Sequence, residues 1–378
     1  MRCKLPYKFK KIILLIDFFE LICIIFKEVF YMYREIIDDL INWKQSKNRK
    51  PLIIHGARQV GKTYIIKHFV KEYYDNLIYV NFETNQELSS QIAGSIDAKY
   101  LIDKLELFYG EKIIPGKTLI FFDEIQANER ALTSLKYFCE DTPQYHIIAA
   151  GSLIGIAINR KNYSFPVGKV QMMNMYPLSF KEFLLAIGRE NLIDEIKKHF
   201  DNNKKMDNDI HNLCLQLYRT YLTIGGMPEA VQIYLDEQKT ISALDVQSEI
   251  LDSYERDMTK YADNSLSNKI ISAFDSIPVQ LAKDNQKFQY KVISKGGTSS
   301  IFREAILWLK NSGIVNQVYK VTSELPLEMH KDLTSFKLYM SDVGLFVNKA
   351  RYPLYQINLS TRSNHDCNGT TYRTLCSK

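Results

Sequence analysis

The chain lacks several things, and each absence narrows what it can be. It has no C-x-x-C pair: the six cysteines (Cys3, Cys23, Cys139, Cys214, Cys367 and Cys376) are scattered. That spacing indicates neither a zinc site nor a disulfide framework, so a reducing cytoplasm is the expected location. It also lacks a long uninterrupted apolar run. The longest candidate, residues 12–26, is broken by Asp17 and Glu20, and no small-residue cleavage site follows it. A spanning helix needs about 20 apolar residues, so no membrane segment is expected. Charge is nearly balanced, 49 basic against 43 acidic residues, for a net +6. Such a balance permits an acidic partner or nucleic acid and demands neither.

What is present is ordinary for a globular protein: 46% apolar and 24% charged residues over 378 positions. That length suits two or three domains, each with its own core. Well-patterned sequence begins at Met32-Tyr33-Arg34. Residues 1–31 therefore read as an upstream extension, with an amphipathic helix as the alternative. In residues 33–47, Ile36, Ile37, Leu40, Ile41 and Trp43 fall near one helical face.

The most informative stretch is Gly56-Ala57-Arg58-Gln59-Val60-Gly61-Lys62-Thr63, directly after Leu52-Ile53-Ile54. It fits the P-loop pattern G-x-x-x-x-G-K-[ST] at every fixed position. The glycines let the backbone curl so that successive N–H groups, including those of Gln59 and Val60, face phosphate oxygens. Lys62 is placed to reach the β/γ-phosphates, and the Thr63 hydroxyl to join the coordination of Mg²⁺. A helix beginning there adds its positive end to the same anion. These residues imply binding of a nucleoside triphosphate, ATP with Mg²⁺.

Thr118-Leu-Ile-Phe-Phe-Asp123-Glu124 is an apolar run closed by two acids, the pattern of a buried parallel strand with carboxylates at its C-terminal edge. Ligands sit at that edge in open α/β sheets. Asp123 is expected to hold Mg²⁺ through water, and Glu124 to orient or deprotonate an attacking water alongside Lys62. His146-Ile-Ile-Ala-Ala-Gly-Ser152 repeats the theme, and makes Ser152 a candidate γ-phosphate sensor or a plain strand-end cap. Strands alternating with helical segments, with the P-loop after the first, predict an α/β fold: a P-loop NTPase parallel sheet with helices on both faces.

Beyond it, Ser179 suits a helix N-cap, and Gly225-Gly226-Met227-Pro228 punctuates two helices. Residues 301–311, a turn at Ser312-Gly313 and the alternating Ile314–Tyr319 stretch follow the helix–turn–strand order of a winged helix. The expected division is 1–31 upstream extension, 32–185 P-loop ATPase core, 186–239 helical lid-like region, 240–348 winged-helix-like C-terminal domain, and 349–378 an atypical tail. Lys283, Lys287, Lys291, Lys295 and Arg303 form either a nucleic-acid face or an ordinary solvated surface, with Asp275, Asp284 and Glu304 diluting their charge.

With these motifs assembled, the chain resembles the prokaryotic AAA-type ATPase family that carries a C-terminal domain of unknown function. The resemblance runs from about Met32 to Phe346. It rests on Gly56–Thr63, Phe121-Phe-Asp-Glu-Ile-Gln126, Ala150-Gly-Ser152, Tyr176-Pro-Leu-Ser-Phe180, Tyr221-Leu-Thr-Ile-Gly-Gly-Met-Pro-Glu-Ala230 and Phe336-Lys-Leu-Tyr-Met-Ser-Asp-Val-Gly-Leu345. The resemblance implies ATP binding and hydrolysis, and a winged-helix part followed by a restriction-endonuclease-like fold. Two departures stand out. The family continues beyond the last motif where this chain has a short tail, the pattern of a truncation. The family also tends to have Gly-Arg where this chain has Gly168-Lys169; if that arginine serves as a finger toward a neighbour's phosphate, lysine is a poor bidentate substitute.

The leading expectation is an ATPase switch in which hydrolysis moves the helical and C-terminal parts, with a homo-oligomer as one expected form. The alternative is an ATP-regulated DNA-binding module, with defence as one expected setting. A small-molecule kinase fits less well, because Glu124 and Ser152 suit activation of water.

Overall fold

In the computed structural model, residues 32–92, 94–157, 165–283 and 286–351 are described. The expectations for residues 1–31 and for the tail beyond 351 fall outside them.

Five parallel strands form the central sheet: β1 (Leu52–His55), β2 (Asn76–Asn81), β3 (Thr118–Asp123), β4 (His146–Gly151) and β5 (Gln171–Asn174), in the order β2-β3-β4-β1-β5. The two-residue period of a strand sends alternate side chains to opposite faces. Leu52, Ile54, Leu119, Phe121, Ile148 and Ala150 enter one core. Ile53, Ile120, Phe122, Ile147 and Ala149 enter the other. Helices cover both faces, as the apolar runs required. The second core takes its helical partners from α3 (Gln86–Ile92), α4 (Ala98–Tyr109) and α5 (Glu129–Asp141).

The first core is larger in sequence reach. It begins with α1 (Ile36–Gln45) and α2 (Lys62–Tyr73), then runs without a break into residues as distant as Val347. Its C-terminal contributors lie on α9 (Asn208–Ile224), α10 (Pro228–Glu237), α11 (Thr240–Lys260), α12 (Asn264–Leu281), α14 (Ser299–Asn311) and α15 (Val343–Lys349). The short helices α6 (Ile154–Ala157), α7 (Phe180–Ala186), α8 (Glu190–Asp201) and α13 (Tyr290–Ile293) complete the set among the described residues. After α14 the chain turns into an antiparallel pair, β6 (Val315–Val321) and β7 (Lys331–Met340).

Ser179 caps α7 as its position suggested, in a capping box with Glu182. Two strands have no matching apolar signal in the sequence. β5 is an edge strand whose residues are mostly exposed, held by its backbone pairing to β1. β7 is polar and exposed over its first half and apolar and buried only toward Met340.

Candidate functional site

The register of the sheet sets the site. β1 ends between β4 and β5, and β3 ends one strand beyond β4. The loop after β1, the acids after β3 and the Gly151-Ser152 end of β4 are therefore neighbours along one edge.

Gln59 (φ 65°) and Gly61 (φ 92°) take left-handed backbone conformations that curl the loop back to the start of α2. Such a conformation is strained for a residue with a side chain such as Gln59, and strain of this kind gathers at ligand sites. Lys62 is buried at the mouth of the loop, and its ammonium donates to the carbonyls of Gly56 (2.9 Å) and Ala57 (2.7 Å). Burial brings its pKa down to about 8, against the pull of Glu124 and Asp123, and Arg58 adds to the lowering. The lysine thus rests on weak neutral acceptors, a position from which a polyphosphate would draw it readily.

Asp123 is 3% exposed. Its Oδ2 accepts from Thr63 Oγ1 (2.8 Å) and from the Tyr79 hydroxyl (3.0 Å), and its Oδ1 accepts from the Glu124 N–H (3.1 Å). Glu124 is left-handed (φ 50°), which turns its side chain out of the strand direction, and its Oε2 accepts from Gln126 Nε2 at 2.5 Å. Burial raises the Glu124 carboxyl above the usual range, the Gln126 bond lowers it, Asp123 raises it and Lys62 lowers it. A carboxylate raised toward neutrality is suited to accepting a proton. Ser152 is buried at the end of β4, on the strand between the loop and the acids.

The oxygen donors gathered here suit a hard cation. The Thr63 hydroxyl and the Asp123 carboxylate are already within hydrogen-bond distance of each other, as Mg²⁺ requires of a site that shares it with phosphate. Among the described residues no group of three or more His, Cys, Asp or Glu could by itself hold a metal. The residues fit a Mg²⁺ carried with a nucleotide rather than an all-protein cage.

Beside Gly61 lies a cavity of about 340 Å³ lined by Met32, Arg34, Tyr64, Ile65, Met175 and Pro228, among others. The sequence showed the helix preceding β1 but not this cavity, whose walls come from four separate segments. Its organiser is Arg34, 5% exposed. Arg34 donates through Nε to Glu182 (3.0 Å), through Nη1 to the Val60 carbonyl (3.0 Å) and through Nη2 to the Tyr176 carbonyl (2.5 Å). Glu182 also accepts from the N–H groups of Glu35 and Ser179. Ser179 was readable as an N-cap, whereas the role of Glu182, completing that cap and holding Arg34 against the loop, was not.

The C-terminal part sits directly on the loop. Arg58 Nη1 pairs with Asp257 on α11 at 2.5 Å, and the Tyr254 hydroxyl donates to the Arg58 carbonyl at 3.0 Å. Glu83, after β2, accepts from the Tyr261 hydroxyl and lies 3.7 Å from Lys260. Gly313 (φ 76°) approaches so closely that a Cβ there would lie 2.9 Å from the Ala57 nitrogen. Lys169 lies elsewhere. It precedes β5, which starts opposite the start of β1, so it belongs to the far edge of the sheet, where it pairs with Glu140 at 2.7 Å. Lys283, Lys291, Lys295 and Arg303 are exposed, and the turn between β6 and β7 exposes Leu325 and Met329 alongside Glu324 and Glu328. That turn is apolar and acidic, which offers DNA no further support.

A parallel sheet with this loop and these acids on one edge has the α/β architecture of a P-loop NTPase fold. Comparison with known families agrees: residues 48–184 match the family described as AAA domain, and residues 215–353 match a domain of unknown function (DUF8612). No curated protein matches the chain. Among solved structures, the Walker-type ATPase PABY2304 of Pyrococcus abyssi is similar over 84% of this chain and 96% of that one, with 14% identity and a TM-score of 0.52. The Aeropyrum pernix ORC2 protein (90% and 91% covered, 11% identity) and the Thermotoga maritima RuvB Holliday junction branch migration motor (77% and 90%, 12%) follow with TM-scores of 0.36 and 0.35. Those last two are too distant to carry an argument, and the first speaks for the fold alone. No helix among the described residues is long and apolar enough to cross a membrane.

Proposed function

We propose that the chain binds ATP with Mg²⁺ at this edge, hydrolyses it, and uses the cycle as a conformational switch for the C-terminal part seated on the loop. The observation that carries this reading is the hydrogen-bonded Thr63–Asp123 pair flanked by Lys62 and Glu124, four residues from two segments gathered at one point. The loop N–H groups and Lys62 bind the phosphates, with the base taken up in the cavity lined by Tyr64, Ile65, Met175 and Pro228. Thr63 and Asp123 would hold Mg²⁺, which neutralises phosphate charge when bound. Glu124 orients a water for attack on the γ-phosphorus and accepts its proton, and Gln126 fixes the carboxylate that does so. Ser152, between the two motifs, is placed to contact the terminal phosphate.

The test is turnover by the full chain beside Glu124→Gln. Loss of a general base costs about 10²–10⁴-fold in rate. Glu124→Gln is expected to lose turnover on that scale while binding ATP as tightly as the wild type. Undiminished turnover in Glu124→Gln would remove Glu124 from the chemistry.

A further inference from the structure

Lys169, which stands where the resembled family tends to carry an arginine, pairs with Glu140 at the opposite edge of the sheet and brings no cation to the loop. Yet a guanidinium stands at the site already. Arg58 is the third residue of the phosphate loop, between the carbonyls that hold the Lys62 ammonium and the strained Gln59. Lys62 is the group that reaches the β/γ-phosphates, and Arg58 is near enough to perturb its charge. The Arg58 side chain is 38% exposed, with solvent beside its stem, whereas its partner Asp257 on α11 is 7% exposed.

We infer that Arg58 is the arginine that clamps the terminal phosphate, supplied by the same chain, and that Asp257 is its resting counter-ion. The inference rests on the proposed ATPase site. A phosphate is a bidentate acceptor of higher charge than one carboxylate, so it competes well for a guanidinium fork. The same charge repels Asp257. When Arg58 turns to phosphate, Asp257 is left buried with Lys260 still near it as counter-charge and Glu83 opposing it. One of the ties between α11 and the loop is thereby released, while the Tyr254 bond to the Arg58 carbonyl is a backbone contact that the swing leaves in place. ADP lacks the group that triggers the exchange. The arrangement therefore makes Arg58 the residue that tells ATP from ADP, and Asp257 the residue that reports the difference to the C-terminal part.

The experiment uses the full chain and its Arg58→Ala, Arg58→Lys and Asp257→Asn variants, with ATP, ADP and a non-hydrolysable ATP analogue. Arginine fingers contribute about 10³–10⁵ in rate, so Arg58→Ala should lower turnover at least about 100-fold. Its preference for ATP over ADP should shrink about tenfold while ADP affinity stays within about threefold of wild type. Arg58→Lys should keep most of the binding and little of the turnover, which separates the fork from a folding defect. Asp257→Asn should tighten ATP but not ADP, and lose that effect when combined with Arg58→Ala. Amide exchange in α11 should rise with the ATP analogue and not with ADP, and wild-type turnover per molecule should not depend on protein concentration. Arg58→Ala with a wild-type ATP/ADP ratio and turnover would overturn the inference while leaving the ATPase reading intact. Failure of the wild type to bind either nucleotide would instead sink the ATPase reading itself.

Discussion

The two edges of the central sheet are built from the same five strands and solve opposite problems. At the edge where the strands start, polar groups are closed off. His146 at the start of β4 shares a 2.7 Å hydrogen bond between its Nδ1 and the Tyr74 hydroxyl, with Trp43 edge-on at 6.0 Å. Burial, with help from Arg49 and Lys44, brings its pKa down to about 4, so the ring stays neutral. At the edge where the strands end, Lys62, Asp123, Glu124, Arg58 and Asp257 stand together, charged and only partly matched. One edge minimises electrostatic cost and the other concentrates it. Unmatched charge at low exposure is tolerated where a ligand completes the set, which is why perturbed groups cluster at functional sites.

The largest effect on folding is expected from the tie that holds the charged edge in place. Arg34→Met leaves the Glu182 carboxylate buried without its cation, and breaking a buried pair costs about 3–5 kcal/mol. Chemical denaturation should show that loss, and Arg34→Met combined with Glu182→Gln should recover part of it. A change below about 1 kcal/mol would mean that the pair is not what secures the loop.

The closed edge should respond to acid. The pKa of His146 in the folded chain lies below its ordinary value, so folding favours the neutral ring. Its contribution is fully present above pH 6.5 and is lost as pH falls toward about 4. The shift corresponds to on the order of 3 kcal/mol. His146→Gln should shrink the stability difference between neutral and acidic pH by that amount. An unchanged pH dependence would contradict the neutral, buried ring.

The smallest effect should come from Lys169→Ala. Its pair with Glu140 is open to solvent, and pairs of that kind contribute little to stability. ATP turnover should not change, because the residue lies at the far edge. A large loss of turnover would point to a role in a neighbouring molecule's site.

Much of the charged edge is legible in the sequence alone. The loop from Gly56 to Thr63 and the run from Thr118 to Glu124 carry their meaning in consecutive residues, because a phosphate cradle and a buried strand are local objects. β5 is not legible, since an edge strand held by backbone bonds needs no apolar pattern, and Gln171-Met-Met-Asn174 has little. The polar first half of β7 hides that strand in the same way. The pairs that organise the site join residues far apart in the chain: Arg34 meets Glu182 148 positions away, and Arg58 meets Asp257 199 positions away. Nothing in a local pattern selects one carboxylate among 43 acidic residues for such a pairing. The motifs at Tyr176–Phe180, Tyr221–Ala230 and Phe336–Leu345 look like separate marks along the chain. In the fold they lock together: the Tyr221 hydroxyl donates to the Leu178 carbonyl, and Asp342 accepts from the Gly226 N–H.

The most direct measurement of the central claim is the affinity of the full chain for ATP with Mg²⁺, against Lys62→Ala. The account predicts saturable binding that Lys62→Ala weakens by at least about 100-fold, because a charge-assisted contact to phosphate is lost at a buried position. Equal affinity in the two proteins, or none in the wild type, would contradict the assignment of this edge as a nucleotide site.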